Sequence, residues 1–100
     1  MKLVFDDQAL ADIENIFRWI SQDNAAAAKA VVDRLLGSIE LLISFPLIGR
    51  VGRESGTFEW VVPRLPYIVV YEIHQHADQV LITAVFHGAQ DRSRDTEDSE

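Results

Sequence analysis

Hydrophobic residues follow two different periods along this chain. Over residues 7–45 they recur at intervals of three and four, as in helices that bury one face. The runs 57–62, 67–73 and 80–87 are instead rich in β-branched and aromatic residues, and Gly, Pro, Asp or His bounds each of them. Residues 2–5 add a short candidate strand. The pattern predicts an α+β fold, in which a short N-terminal strand and an antiparallel helix hairpin pack on a small, mainly antiparallel sheet.

Capping residues and one proline set the expected ends of the two helices. Asp6 or Asp7 begins the first helix and Asn24 begins the second, because their side-chain oxygens accept hydrogen bonds from free backbone N–H groups. Pro46 disfavours α geometry in the residue before it, so the second helix is expected to end near Phe45. A tight turn should join the two helices.

The first helix carries an apolar stripe that is expected to face the core. Leu10, Ile13, Phe17 and Ile20 recur at spacings of three and four, which places them along one side of a helix. Trp19 stands off this stripe. We therefore expect its indole to be exposed.

Composition narrows the class of protein. The 100 residues are 48% hydrophobic and 25% charged, which predicts one globular domain over residues 1–91. Residues 92–100 are polar and mostly acidic, so we expect a disordered tail there. The chain holds no cysteine, which excludes disulfides, thiolate zinc sites and cysteine nucleophiles.

Charge and hydropathy narrow the partners and the location. A formal net charge of −7 argues against a broad nucleic-acid surface, because phosphate binding needs clustered Lys and Arg. No apolar run is long enough for a signal peptide or a membrane span, which predicts a cytoplasmic protein. His74 and His76 lack a third ligand nearby in sequence, so no metal or other cofactor is expected.

Four segments after the helices resemble a known family. They are Phe45-Pro-Leu-Ile-Gly-Arg-Val-Gly52, Gly56-Thr-Phe-Glu-Trp-Val-Val62, Leu65-Pro-Tyr-Ile-Val-Val-Tyr71 and Phe86-His-Gly-Ala89. Their order and spacing resemble the ParE/RelE superfamily of toxins from bacterial type II toxin–antitoxin modules, over about residues 3–92. The Pro-Tyr-Ile-Val-Val-Tyr strand and the His-Gly-Ala ending are most similar to the ParE branch. The resemblance implies a toxin that acts on DNA gyrase and forms a hetero-oligomer with a neutralising, ParD-like antitoxin.

The RelE branch has a similar fold and implies a different activity, which is cleavage of mRNA on the ribosome. Attack by a 2′-hydroxyl requires a base, a cation for the developing charge and an acid for the leaving oxygen. Residues 67–69 are apolar or aromatic where RelE relatives often carry a basic residue. An endoribonuclease built from this chain would have to use His87, Arg64, Glu59 and Tyr71.

A protein-binding surface does not need the base, cation and acid that RNA cleavage requires. Interfaces favour Trp, Tyr and Arg, and this chain has arginines in the turns before and after the predicted strand 57–62. A third interpretation is a degenerate toxin that only binds its antitoxin, because the chain is acidic and Phe58 stands where ParE relatives often carry arginine. The predicted partner-binding residues are Trp19, Arg50, Arg53, Trp60, Arg64 and Arg92.

Overall fold

The structure, a computed structural model, describes residues 1–89. These residues form two helices and five strands, and the predicted α+β fold is confirmed. Arg92 and the acidic segment 92–100 lie outside the described residues. The elements are β1 (Lys2–Phe5), α1 (Asp7–Ser21), α2 (Ala25–Ser44), β2 (Arg50–Val51), β3 (Phe58–Val61), β4 (Tyr67–His74) and β5 (Gln79–His87).

The five strands form one sheet in the order β1-β5-β4-β3-β2. Strands β3, β4 and β5 pair antiparallel, as expected for a mainly antiparallel sheet, and β1 lies parallel to β5 at one edge. Strand β2 pairs antiparallel with β3 at the other edge. It is only two residues long, too short to show an alternation in the sequence.

The predicted helix boundaries are confirmed. Asp6 stands at the N-cap of α1 in an extended conformation, although its side chain makes no capping hydrogen bond. Asn24 does cap α2, because its Oδ1 accepts a hydrogen bond of 3.0 Å from the N–H of Ala27. Helix α2 ends at Ser44, and Phe45 leaves the helical conformation directly before the proline.

Both helices pack on one face of the sheet and form the core with it. Helix α2 contributes Leu35, Ile39 and Leu42, each without solvent exposure. The helix-facing side of the sheet contributes the rest of this core cluster. Its residues there are Trp60, Val62, Tyr67, Val69, Tyr71, Val80, Ile82 and Val85.

The predicted core stripe of α1 is partly wrong. Leu10 and Phe17 are 52% and 40% exposed, whereas Ala9 is fully buried beside Ile13. Because each helical residue turns about 100°, Leu10 and Phe17 lie together on the flank of the face that Ala9, Ile13 and Ile16 define. The small side chain of Ala9 belongs to the core.

Gly37 lies in the middle of α2, and no structural reason requires a glycine there. A Cβ added at this position would meet no atom within 4 Å. We expect Gly37→Ala to raise the free energy of unfolding by about 0.5–1 kcal/mol, because alanine has less backbone entropy to lose in a helix. Urea denaturation would measure this gain. A loss of stability would contradict it.

Candidate partner-binding surface

The turn between α2 and β3 is held against the sheet by one buried tyrosine. The Tyr71 hydroxyl donates a hydrogen bond of 2.6 Å to the carbonyl of Pro46 and accepts one of 3.1 Å from the N–H of Gly49. Burial raises the pKa of Tyr71, and the hydrogen bond from Gly49 opposes this. The structure thus places Tyr71, a candidate catalytic residue, in the core, where its hydroxyl holds the turn to the sheet.

Glu59 orders the next part of the same turn. Its Oε2 accepts a hydrogen bond of 3.2 Å from the backbone N–H of Arg53, and its Oε1 lies 4.0 Å from the Arg50 guanidinium. Only 11% of the Glu59 side chain is exposed. Both arginines are exposed, as expected for partner-binding residues. The contacts of Glu59 give it a structural role in this turn.

The four candidate endoribonuclease residues do not share one face of the sheet. Glu59 pairs with Val70 across the ladder and points away from the helices, whereas Tyr71 points towards them. His87 ends β5, and its ring meets the ring of Tyr67 edge to face on the helix side. Arg64 occupies the turn between β3 and β4. These positions do not form one acid, base and cation cluster.

Arg64 lies in the turn that its two neighbouring prolines predict. It is exposed and adopts a φ of 67°, in the left-handed region that favours glycine. The N–H of Val62 bonds to the carbonyl of Tyr67 and closes the turn. Arg64 is therefore presented to solvent at the tip of the β3–β4 hairpin.

The two tryptophans have opposite environments. Trp19 on α1 is 73% exposed, which confirms the expectation from the helical pattern. Trp60, also predicted to bind a partner, is only 8% exposed. It pairs with Val69 on the helix-facing side of the sheet and belongs to the core. Strand alternation turns the Trp60 ring inward, so the structure gives this residue a place in the core and not on the surface.

Trp19 stands at one wall of a groove of about 620 Å³ between α1 and the end of the sheet. The groove combines aromatic and aliphatic surface with a few polar groups, as ligand and partner sites often do. From α1 it is lined by Asp12, Asn15, Ile16 and Trp19. The sheet contributes Tyr67, Val85, Phe86 and His87.

The groove exists because β1 stops before β5 does. The register pairs Phe5 with Ile82, and after that point no strand of residues 1–89 lies along the edge of β5 that β1 had covered. Asp12 takes the place of a strand there, because its Oδ2 accepts a hydrogen bond of 2.9 Å from the N–H of Val85. Asp12 could not be found from the sequence, since nothing local distinguishes it from other acidic residues of α1.

Comparison with known families decides where this chain belongs. A family described as the ParE toxin of the type II toxin–antitoxin system parDE matches residues 3–92. The chain belongs to this ParE family. The resemblance predicted from the sequence is confirmed, and the protein is a type II toxin–antitoxin toxin of the ParE/RelE superfamily.

Individual relatives agree with membership of the ParE family. A toxin homologue of Sinorhizobium fredii, Y4kP, is 34% identical over 83 residues, which are 83% of each chain. A chromosomal ParDE toxin–antitoxin structure from P. aeruginosa matches with a TM-score of 0.76 at 17% identity, covering 87% of this chain and 95% of that one. The E. coli RelBE toxin–antitoxin complex matches with a TM-score of 0.64 at 16% identity, covering 86% and 94%. These two structures share the fold.

This ParE-family chain also exposes a second apolar surface, on the turn that Tyr71 holds. Phe45, Leu47, Ile48 and Val51 are all exposed there. A cluster of exposed apolar side chains on an ordered turn is typical of protein-binding sites.

Two further kinds of site are missing from the described part of the chain. Among residues 1–89, no group of three or more His, Cys, Asp or Glu side chains could hold a metal ion. Neither helix in this range has the length and hydropathy that crossing a membrane requires.

Proposed function

We propose that this chain is the toxin of a ParE-type module, that it inhibits DNA gyrase in the cytoplasm, and that a ParD-like antitoxin neutralises it in a hetero-oligomer. The proposal rests first on the ParE family match over residues 3–92. Likeness to a ParDE toxin–antitoxin structure supports an antitoxin as the partner.

The observation that carries this proposal is the contrast between two kinds of surface. The residues needed for RNA cleavage are spread over both faces of the sheet, and two of them, Glu59 and Tyr71, hold the turn before β3 in place. Apolar and aromatic side chains are exposed instead, which suits binding to another protein. They include Trp19, Phe45, Leu47, Ile48, Val51 and Val61.

The test is expression of the toxin without its antitoxin, followed by assays with purified components. We expect the purified chain to inhibit supercoiling by gyrase and to leave ribosome-bound mRNA intact. Adding the antitoxin encoded beside the toxin gene should restore supercoiling. A double variant, His87→Ala with Arg64→Ala, is expected to keep mRNA intact just as the unchanged chain does.

Two outcomes would contradict the proposal, and each points to another function. Cleavage of ribosome-bound mRNA with normal supercoiling, abolished in the double variant, would indicate a RelE-like endoribonuclease. Tight antitoxin binding with normal growth and neither activity would indicate a degenerate toxin.

A further inference from the structure

The groove between α1 and β5 contains a tyrosine hydroxyl that has no protein partner among residues 1–89. Tyr67 is only 6% exposed, and burial raises its pKa. Its ring contacts His87, but its hydroxyl takes part in no hydrogen bond with a described residue. Within residues 1–89, every side-chain oxygen that is closed off from solvent has a hydrogen-bond partner. The Tyr67 hydroxyl has no such partner, so it must be open to solvent, and Tyr67 lines the groove. A ligand in the groove could therefore bond to it.

Asp12 adds a negative charge to the same groove. Its carboxylate accepts hydrogen bonds from the side-chain amide of Gln8 at 2.8 Å and from the N–H of Val85 at 2.9 Å. Both donors are neutral. Within residues 1–89, no Lys, Arg or His forms an ion pair with Asp12, although its side chain is partly buried. The carboxylate thus keeps a charge that a cation could neutralise, with unused lone pairs to accept its hydrogen bonds.

An aromatic ring lies on either side of the groove. The exposed indole of Trp19 forms the wall on α1, and the ring of Tyr67 lies on the sheet side. Aromatic faces attract cations, and tryptophan does so most strongly. The formal net charge of −7 also favours a basic ligand over a phosphate-bearing one.

We propose that this groove binds a basic side chain of the antitoxin, best an arginine, and that a segment of the antitoxin therefore lies over α1 and the end of β5. A guanidinium can stack on Trp19 while its N–H groups donate to Asp12 and to the Tyr67 oxygen. Its aliphatic stem fits the apolar wall at Ile16. This inference rests on the proposed function for the identity of the partner. It adds the chemistry by which that partner is recognised.

Short peptides test the recognition directly. The probes are acetyl-Leu-Arg-Leu-amide, the same peptide with norleucine in place of arginine, and the same peptide with glutamate. Titration of the ¹⁵N-labelled chain by NMR would follow the Trp19 indole N–H and the backbone N–H of Val85. We expect the arginine peptide to shift both signals and to bind about five- to tenfold more tightly than the norleucine peptide. The glutamate peptide should bind most weakly.

Variants assign the binding to named groups. Asp12→Asn keeps an oxygen for the N–H of Val85 but removes the charge, so it should abolish the preference for arginine over norleucine. Tyr67→Phe removes only the hydroxyl, and we expect it to weaken arginine binding two- to fivefold. Glu14→Gln is the matched control. It removes a carboxylate from the same helix that is already paired with Arg18, and it should change binding less than twofold.

The antitoxin complex provides the second measurement. Asp12→Asn should speed dissociation of the antitoxin about five- to tenfold, with little effect from Glu14→Gln. Equal binding of the arginine and norleucine peptides, or unchanged dissociation in Asp12→Asn, would overturn the inference. Loss of gyrase inhibition in Asp12→Asn with unchanged antitoxin dissociation would instead assign the groove to gyrase and overturn the antitoxin as occupant. Gyrase inhibition by the unchanged chain tests the proposed function separately. The proposed function and the arginine-binding role of the groove can therefore each fail without the other.

Discussion

Replacing Tyr71 with alanine is expected to lower the free energy of unfolding by about 3–5 kcal/mol, the largest effect anticipated for a single side chain here. The tyrosine has no solvent exposure, and its ring stacks on Phe58 with 5.5 Å between centroids. Its removal leaves a cavity and also two unpaired backbone groups, on Pro46 and Gly49. Denaturant unfolding followed by tryptophan fluorescence would measure the loss.

Phenylalanine at the same position separates the contribution of the buried ring from that of the hydroxyl's hydrogen bonds. Tyr71→Phe keeps the ring but loses both hydrogen bonds, and we expect it to cost about 1–3 kcal/mol. Tyr67→Phe is the matched control, because the hydroxyl that it removes has no hydrogen-bond partner among the described residues. That control should change stability by less than about 0.5 kcal/mol. Equal losses in the two phenylalanine variants would show that the hydroxyl of Tyr71 does not hold the turn.

The second large effect is expected from Gly49→Ala, which should lower the free energy of unfolding by about 2–3 kcal/mol. A Cβ at this position would lie 2.7 Å from the Tyr71 hydroxyl oxygen and 2.9 Å from the carbonyl oxygen of Glu59. The second contact is with backbone, so the turn itself must move. Thermal unfolding would show the loss as a lower Tm.

Gly37→Ala serves as the control for this substitution. It adds the same methyl group at a position with free space, and it is expected to stabilise. An alanine at position 49 that left Tm unchanged would contradict the close packing of the turn on Tyr71. If Gly49→Ala also weakened antitoxin or gyrase binding, the displaced apolar side chains of Leu47 and Ile48 would be the first candidates for the cause.

Most of the secondary structure could be predicted from the sequence because its signals are local. Asn24 and Pro46 mark the ends of α2, and runs rich in β-branched and aromatic residues mark the long strands β4 and β5. The buried face of α1 could not be fixed in the same way. Ile13 belongs to two overlapping apolar stripes on α1, one with Leu10 and one with Ala9. Packing against the sheet buries the stripe that contains the small residue Ala9.

The candidate surface was less predictable, because burial depends on partners distant in sequence. Trp19 and Trp60 have the same side chain, and only the sheet decides that one is exposed and the other is core. Asp12 and Val85 are 73 residues apart, so their hydrogen bond gives no sequence signal. The arginines of the turns were easier to place, since charged residues between prolines or glycines are usually exposed.

The parallel pairing of β1 with β5 has a consequence for the order in which this toxin can fold during synthesis. Residues 2–5 leave the ribosome long before residues 79–82, which are their strand partners. A nascent chain that has exposed only the helices and the first hairpin still lacks the strand that separates β1 from β4. The groove walls from β5 are missing at that stage as well. A neutralising partner that recognises the groove would therefore meet its site only after nearly all of the described chain has been made.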